Sequence, residues 1–71
     1  HLLGAGAALE AIAVILALKK QAVPATFNVL NKDPLCAINL VTKNNTKAEV
    51  NYAMSNSFAF GGLNTTLIFQ K

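Results

Sequence analysis

His1-Leu2-Leu3-Gly4-Ala5-Gly6-Ala7-Ala8-Leu9-Glu10-Ala11-Ile12-Ala13-Val14-Ile15-Leu16-Ala17-Leu18 is apolar or glycine at every position after His1 except Glu10. Alanine and leucine dominate the run, and both favour helix. Lys19 and Lys20 follow it, placing two cations where the helix dipole turns negative. The pattern predicts a helix over residues 3–20. Gly4 and Gly6 lower helix propensity near its start, which is tolerable where backbone must approach something closely. A helix that is hydrophobic all round has no face left for water and belongs inside a larger body or a membrane. A chain of 71 residues buries only about 60% of the surface it exposes when unfolded, too little to wrap such a helix. The expectation is therefore a piece of a longer protein.

Beyond the helix the punctuation changes. Residues 21–26 contain Pro24 and are expected to run extended, because the residue before a proline is pushed out of the helical region. Residues 28–34 are turn-rich, with Asn31, Asp33 and Pro34. A short apolar strand is expected over 37–42, a polar loop over 43–47, a strand over 49–57, a glycine-containing turn over 58–63 and a last strand over 64–70. The last two strands are expected to pair antiparallel. The fold class is thus α/β, one buried helix followed by antiparallel strands that cover it.

Composition narrows the function. Hydrophobic residues make up 54% and charged residues 13%, about half the usual charged share. One cysteine excludes an internal disulfide framework and suits a reducing compartment. One cysteine and one histidine without a spaced cluster give no zinc site, so neither metal nor cofactor is expected. The net charge of +3 comes from six scattered lysines, with no arginine and no aromatic residues interleaved with the basic ones, which argues against nucleic acid as a partner. The apolar run lacks the basic region that opens a signal peptide. As a membrane span it is short, and Glu10 near its middle is costly in lipid, so no span is expected. Sequons at Asn44 and Asn64 matter only for a secreted protein.

Two motifs about fifty residues apart point the same way. His1-Leu2-Leu3-Gly4-Ala5, with Glu10 further along, resembles the active-site histidine motif of the β-ketoacyl-acyl carrier protein synthases. Ser55-Asn56-Ser57-Phe58-Ala59-Phe60-Gly61-Gly62-Leu63-Asn64 resembles the phenylalanine- and glycine-rich loop near the C-terminus of those enzymes. Between them, Pro24-Ala25-Thr26 and Asn31-Lys32-Asp33-Pro34 stand where the family has its proline-rich and Asn-x-Asp-Pro turns. The resemblance covers essentially the whole chain and is greatest to the elongating synthases of the discrete-enzyme pathway. It implies that residues 1–71 are the C-terminal part of the ketosynthase C-terminal domain, a fragment of a thiolase-like layered fold. The departures are Gly4-Ala5-Gly6-Ala7 for the family's Gly-Ala-Ala-Gly, and Ala59 and Leu63 for a glycine and a threonine of the loop. If the family's glycine needs positive φ, Ala59 would cost on the order of 1 kcal/mol. The nucleophilic cysteine and the other active-site histidine would lie upstream of His1.

The resemblance also implies roles. The reaction is a decarboxylating Claisen condensation of malonyl-acyl carrier protein with an acyl thioester in fatty-acid elongation. His1 would donate an N–H to the malonyl thioester oxygen, as in an oxyanion hole, and burial at the helix start would favour its neutral form. The bland alternative for His1 is a solvated terminal residue. Glu10 would support the site structurally, since a buried carboxylate must be paired or protonated and the family's partner lysine precedes the histidine. Phe60 would gate the site, with Gly61 and Gly62 letting the loop swing, against the plainer reading of a packed phenylalanine in a turn. Phe58 reads as packing, and Asn56 and Asn64 as turn residues. Cys36 follows Pro34-Leu35 with no helix N-terminus or cationic neighbour to activate it, and is not read as the nucleophile. Implied partners are acyl carrier protein, malonyl and acyl thioesters, and a second subunit in a homodimer, in the bacterial cytoplasm or an organelle stroma or matrix. The segment alone is expected to be inactive. The alternatives are a non-catalytic, chain-length partner subunit and, further off, a small membrane-associated protein.

Overall fold

The structure, a computed structural model, describes residues 1–43 and 46–71. The chain enters through a 3₁₀ turn, Leu3–Ala5, and then forms helix α1, Gly6–Lys20. The first expected helical turn is therefore wound more tightly than an α-helix. At 1.5 Å per residue its 15 residues extend about 22 Å, short of the roughly 30 Å of a bilayer core. Among the described residues no helix is long and apolar enough to cross a membrane.

Gln21 ends α1, and it does so without glycine. Its backbone is left-handed (φ 50°, ψ 49°), and its N–H caps the Ala17 carbonyl. For a residue with a Cβ this conformation costs roughly 1–2 kcal/mol. The side chain offsets it. Gln21 Nε2 donates to the carbonyls of Leu18 (2.7 Å) and Val50 (2.8 Å), and Val50 N–H donates to Gln21 Oε1 at 3.1 Å. The Ala48 N–H adds a main-chain bond to the Gln21 carbonyl at 3.1 Å. The carboxamide thus mimics a peptide group and ties the end of α1 to a segment 29 residues away. Gln21→Ala is expected to cost about 1–3 kcal/mol, because partly buried backbone groups lose their partners. Gln21→Gly relieves the backbone conformation but loses the same bonds, so it too should fall below the native protein in urea unfolding. An unchanged midpoint for either variant would remove this clamp from the stability of the fold.

Two short strands follow. β1, Ala22–Val23, pairs antiparallel with β2, Thr46–Lys47. This corrects the polar loop expected over 43–47: its end is drawn into a ladder that the Ala48–Gln21 bond extends. The rest of that loop, with the Asn44 sequon, lies partly outside the described residues. The strand expected over 37–42 does not form. Its backbone groups are committed to turns instead: Thr26 N–H donates to the Val41 carbonyl at 2.8 Å, Ile38 N–H to Cys36 at 2.8 Å, and the Lys32 ammonium reaches the Ile38 carbonyl. Asp33 accounts for the turn before it, its Oδ1 accepting the Leu35 N–H at 2.8 Å and its carbonyl the Cys36 N–H at 2.9 Å.

The main sheet is a hairpin of β3, Tyr52–Phe58, and β4, Asn64–Gln70, antiparallel with Tyr52 opposite Gln70 and Phe58 opposite Asn64. β3 begins later than expected because Val50 is engaged by Gln21. Alternation along β3 sends Ala53, Ser55 and Ser57 toward α1, where they are half-buried with Phe69 of β4. These β3 side chains are small, so α1 lies close against the hairpin through Ala11, Val14, Ala17 and Leu18. Leu18, 5% exposed, is the one buried hydrophobic residue among those described. On the far side of α1, Leu9, Ile12 and Leu16 remain exposed. The helix expected to be buried is thus covered on one side only within these residues, because two strands supply a single layer.

Candidate functional site

Both ends of the site are set by backbone turns. At the first, Leu3 holds φ 50°, a left-handed conformation that costs a leucine roughly 1–2 kcal/mol. That turn points the Leu3 N–H back at the histidine ring, and Nδ1 of His1 accepts it at 2.8 Å. A neutral imidazole with Nδ1 accepting carries its proton on Nε2. The ring is therefore fixed at one nitrogen by main chain and offers one outward N–H donor at the other. His1 itself is exposed in this chain rather than enclosed at the start of a buried helix.

Glu10 sits one and a half turns into α1 and is also exposed. The apolar neighbours that suggested a buried carboxylate lie on a helix with only one covered side. Its partner comes from the hairpin: Ser57 Oγ donates to Glu10 Oε2 at 3.5 Å, a long contact across 47 residues of sequence. Ser57 directly precedes Phe58, so this contact joins the helix that follows the histidine to the loop motif.

The loop itself is a 3₁₀-type turn, Phe60–Gly62, closed by the Ala59 N–H donating to the Leu63 carbonyl at 2.8 Å. Gly61 (φ 81°) and Gly62 (φ 79°) occupy the region that side chains resist, although a Cβ at either would meet open space. Their requirement is backbone conformation, not room. Ala59 is extended (φ −123°, ψ 165°), so the alanine standing for the family's glycine carries no left-handed cost in this conformation. Phe60 is fully exposed and Phe58 largely so. Asn56 and Asn64, expected in turns, belong to β3 and β4, where Phe58 pairs with Asn64 and Asn56 with Thr66. Cys36 is an exposed free thiol whose nearest described bonding is its own N–H in the Asp33 turn. Among the described residues no three of His, Cys, Asp and Glu gather as a metal site.

No protein-family model matches the chain. Over all 71 residues it is 44% identical to the 3-oxoacyl-[acyl-carrier-protein] synthase 2 of Synechocystis sp., 44% to that of Vibrio harveyi and 41% to that of Staphylococcus aureus. The chain spans 17% of the length of each of these relatives. Over its whole length it is similar to one segment of these synthases. Two residues of the segment, Ser57 and Gln21, take roles in the fold that the sequence does not assign them. Ser57 stood inside the quoted loop motif, and strand alternation from Ala53 was the signal that would have turned it toward α1. Gln21 carried no such signal, because its partners Leu18 and Val50 are set by the fold.

Proposed function

We propose that this segment supplies the malonyl-activating histidine and the loop of a 3-oxoacyl-acyl carrier protein synthase. Residues 1–71 are then the C-terminal part of its thiolase-like C-terminal domain. The reading rests above all on the His1–Leu3 bond, which leaves Nε2–H as an outward donor, in a chain alike over its full length to synthases of this name. Decarboxylation breaks the bond between the malonyl carboxylate and the α-carbon, and the electron pair moves into the thioester carbonyl to give an enolate. A preorganised N–H at that oxygen stabilises charge as it develops. The enolate carbon then attacks an acyl thioester on a cysteine elsewhere in the protein, whose thiolate leaves. Glu10, with Ser57, links α1 to the loop so that the histidine and Phe60 keep a set relation. Phe60 is the gate, Gly61 and Gly62 its pivot, and Phe58 packing. Acyl carrier protein delivers both substrates, and the synthase works as a homodimer in the cytoplasm or an organelle stroma or matrix.

The test is product formation by the intact synthase given malonyl- and acyl-carrier protein. Carbon dioxide and 3-oxoacyl-carrier protein are expected together. Neither product from a folded, acyl-carrier-binding protein would replace the enzyme with the non-catalytic partner subunit.

A further inference from the structure

The pairing of β3 with β4 continues past the ends of the two strands. Phe58 stands opposite Asn64 in the register, and one residue further on the Ala59 N–H donates to the Leu63 carbonyl at 2.8 Å. Both residues are extended, Ala59 at φ −123°, ψ 165° and Leu63 at φ −75°, ψ 112°. Their bond closes the base of the loop and leaves Phe60–Gly62, 3 residues, above it. Gly61 (φ 81°) and Gly62 (φ 79°) hold the positive φ values, so the left-handed backbone of the loop lies in its tip. Ala59 marks the boundary between tip and base. Its Cβ suits extended backbone and resists the left-handed region that a glycine enters freely. A rotation through that region, turning the Ala59 N–H away from Leu63, is therefore closed to it.

We propose that Ala59 is a positioning residue that keeps the base of the loop shut, so that the gate opens by motion of Phe60, Gly61 and Gly62 alone, an inference that rests on reading Phe60 as the gate. A short tip carries its side chain through a smaller arc than a loop freed down to β3. The consequence is selectivity for the acyl group. Acyl transfer replaces the carrier's thioester by one on the enzyme's cysteine, and the carrier thiolate leaves. An acetyl group has little chain to bring past Phe60. An octanoyl group must displace the tip along its length, and the restricted arc slows it.

The test uses the intact synthase with acetyl- and octanoyl-carrier protein. Site-resolved hydrogen exchange needs no variant. The Ala59 N–H is expected to exchange at least an order of magnitude more slowly than in a short unstructured peptide, with the enzyme free and acylated alike. Exchange at the peptide rate in either state overturns the closed base. Ala59→Gly then tests selectivity. It is expected to raise the octanoyl-to-acetyl ratio of acyl-transfer rates on the order of fivefold, the lower end of the penalty that a Cβ meets in left-handed backbone. An unmoved ratio overturns the proposal even where the urea midpoint falls, because a merely structural residue changes stability alone. Should Ala59→Gly fail to fold, the exchange result decides. Phe60→Ala reads the gate separately. If it shifts the ratio and Ala59→Gly does not, the gate stands and the shut base falls. If Phe60→Ala leaves the ratio unmoved, the gate itself falls, and the role of Ala59 with it.

Discussion

His1→Ala in the intact synthase is expected to lower condensation by about 10²–10³-fold, the loss typical of removing one oxyanion-hole donor. The structural ground is the bond that ties Nδ1 to the Leu3 N–H and leaves Nε2 as the donor. In the proposed role the donor meets charge that develops only as carbon dioxide leaves, so the loss belongs in kcat rather than KM. Transfer of the acyl chain onto the enzyme's cysteine precedes that charge and should be retained. His1→Gln, which places an amide N–H in the same direction, is expected to recover part of the rate. Equal losses of acyl transfer and decarboxylation would mean that His1 shapes the site rather than acting on malonyl. Full activity in His1→Ala would make His1 a solvated residue with no part in the reaction.

How much of this was legible before the structure differs by element, for physical reasons. The helix over 3–20 and the strand pair around Gly61-Gly62 are announced by local signals: an unbroken apolar run, period-2 residues, and paired glycines at a turn. Residues 37–42 carry the same local signal and form no strand. A strand needs a neighbour's backbone groups, and here Thr26 claims the Val41 carbonyl and Ile38 folds back on Cys36. Thr46–Lys47 is the converse, a polar dipeptide that becomes a strand because Ala22–Val23 and Gln21 bring a partner to it. Gln21 reads as an ordinary helix exit, yet the fold uses its carboxamide as a surrogate peptide. At the site, the two motifs were readable by resemblance, but their junction was not. Glu10 and Ser57 stand 47 residues apart, and nothing local in either stretch says that they meet. The apolar circumference of α1 predicts cover all round, whereas among the described residues the hairpin covers one side and leaves Leu9, Ile12 and Leu16 exposed.

Replacing both Gly61 and Gly62 by alanine is the second large effect expected. Each holds φ near 80°, where a Cβ costs roughly 1–2 kcal/mol, so the double variant should destabilise this turn by about 2–4 kcal/mol if the costs add. Space does not enter, since neither added Cβ meets an atom within 4 Å. The turn relaxes by moving toward negative φ, and that displaces Phe60, which lies between Ala59 and Gly61 and is fully exposed among the described residues. Two measurements separate the consequences. Urea unfolding of the intact synthase reports the strain, and single Gly61→Ala and Gly62→Ala variants should each give about half of it. The rate of acyl transfer to the enzyme reports the gate, and it should fall in the double variant even at temperatures where the protein is fully folded. Loss of stability with unaltered acyl transfer would make Phe60 a turn residue only. Loss of acyl transfer alone, with no change in urea midpoint, would mean that the positive φ values are not the ground state of this loop and that the glycines serve its motion.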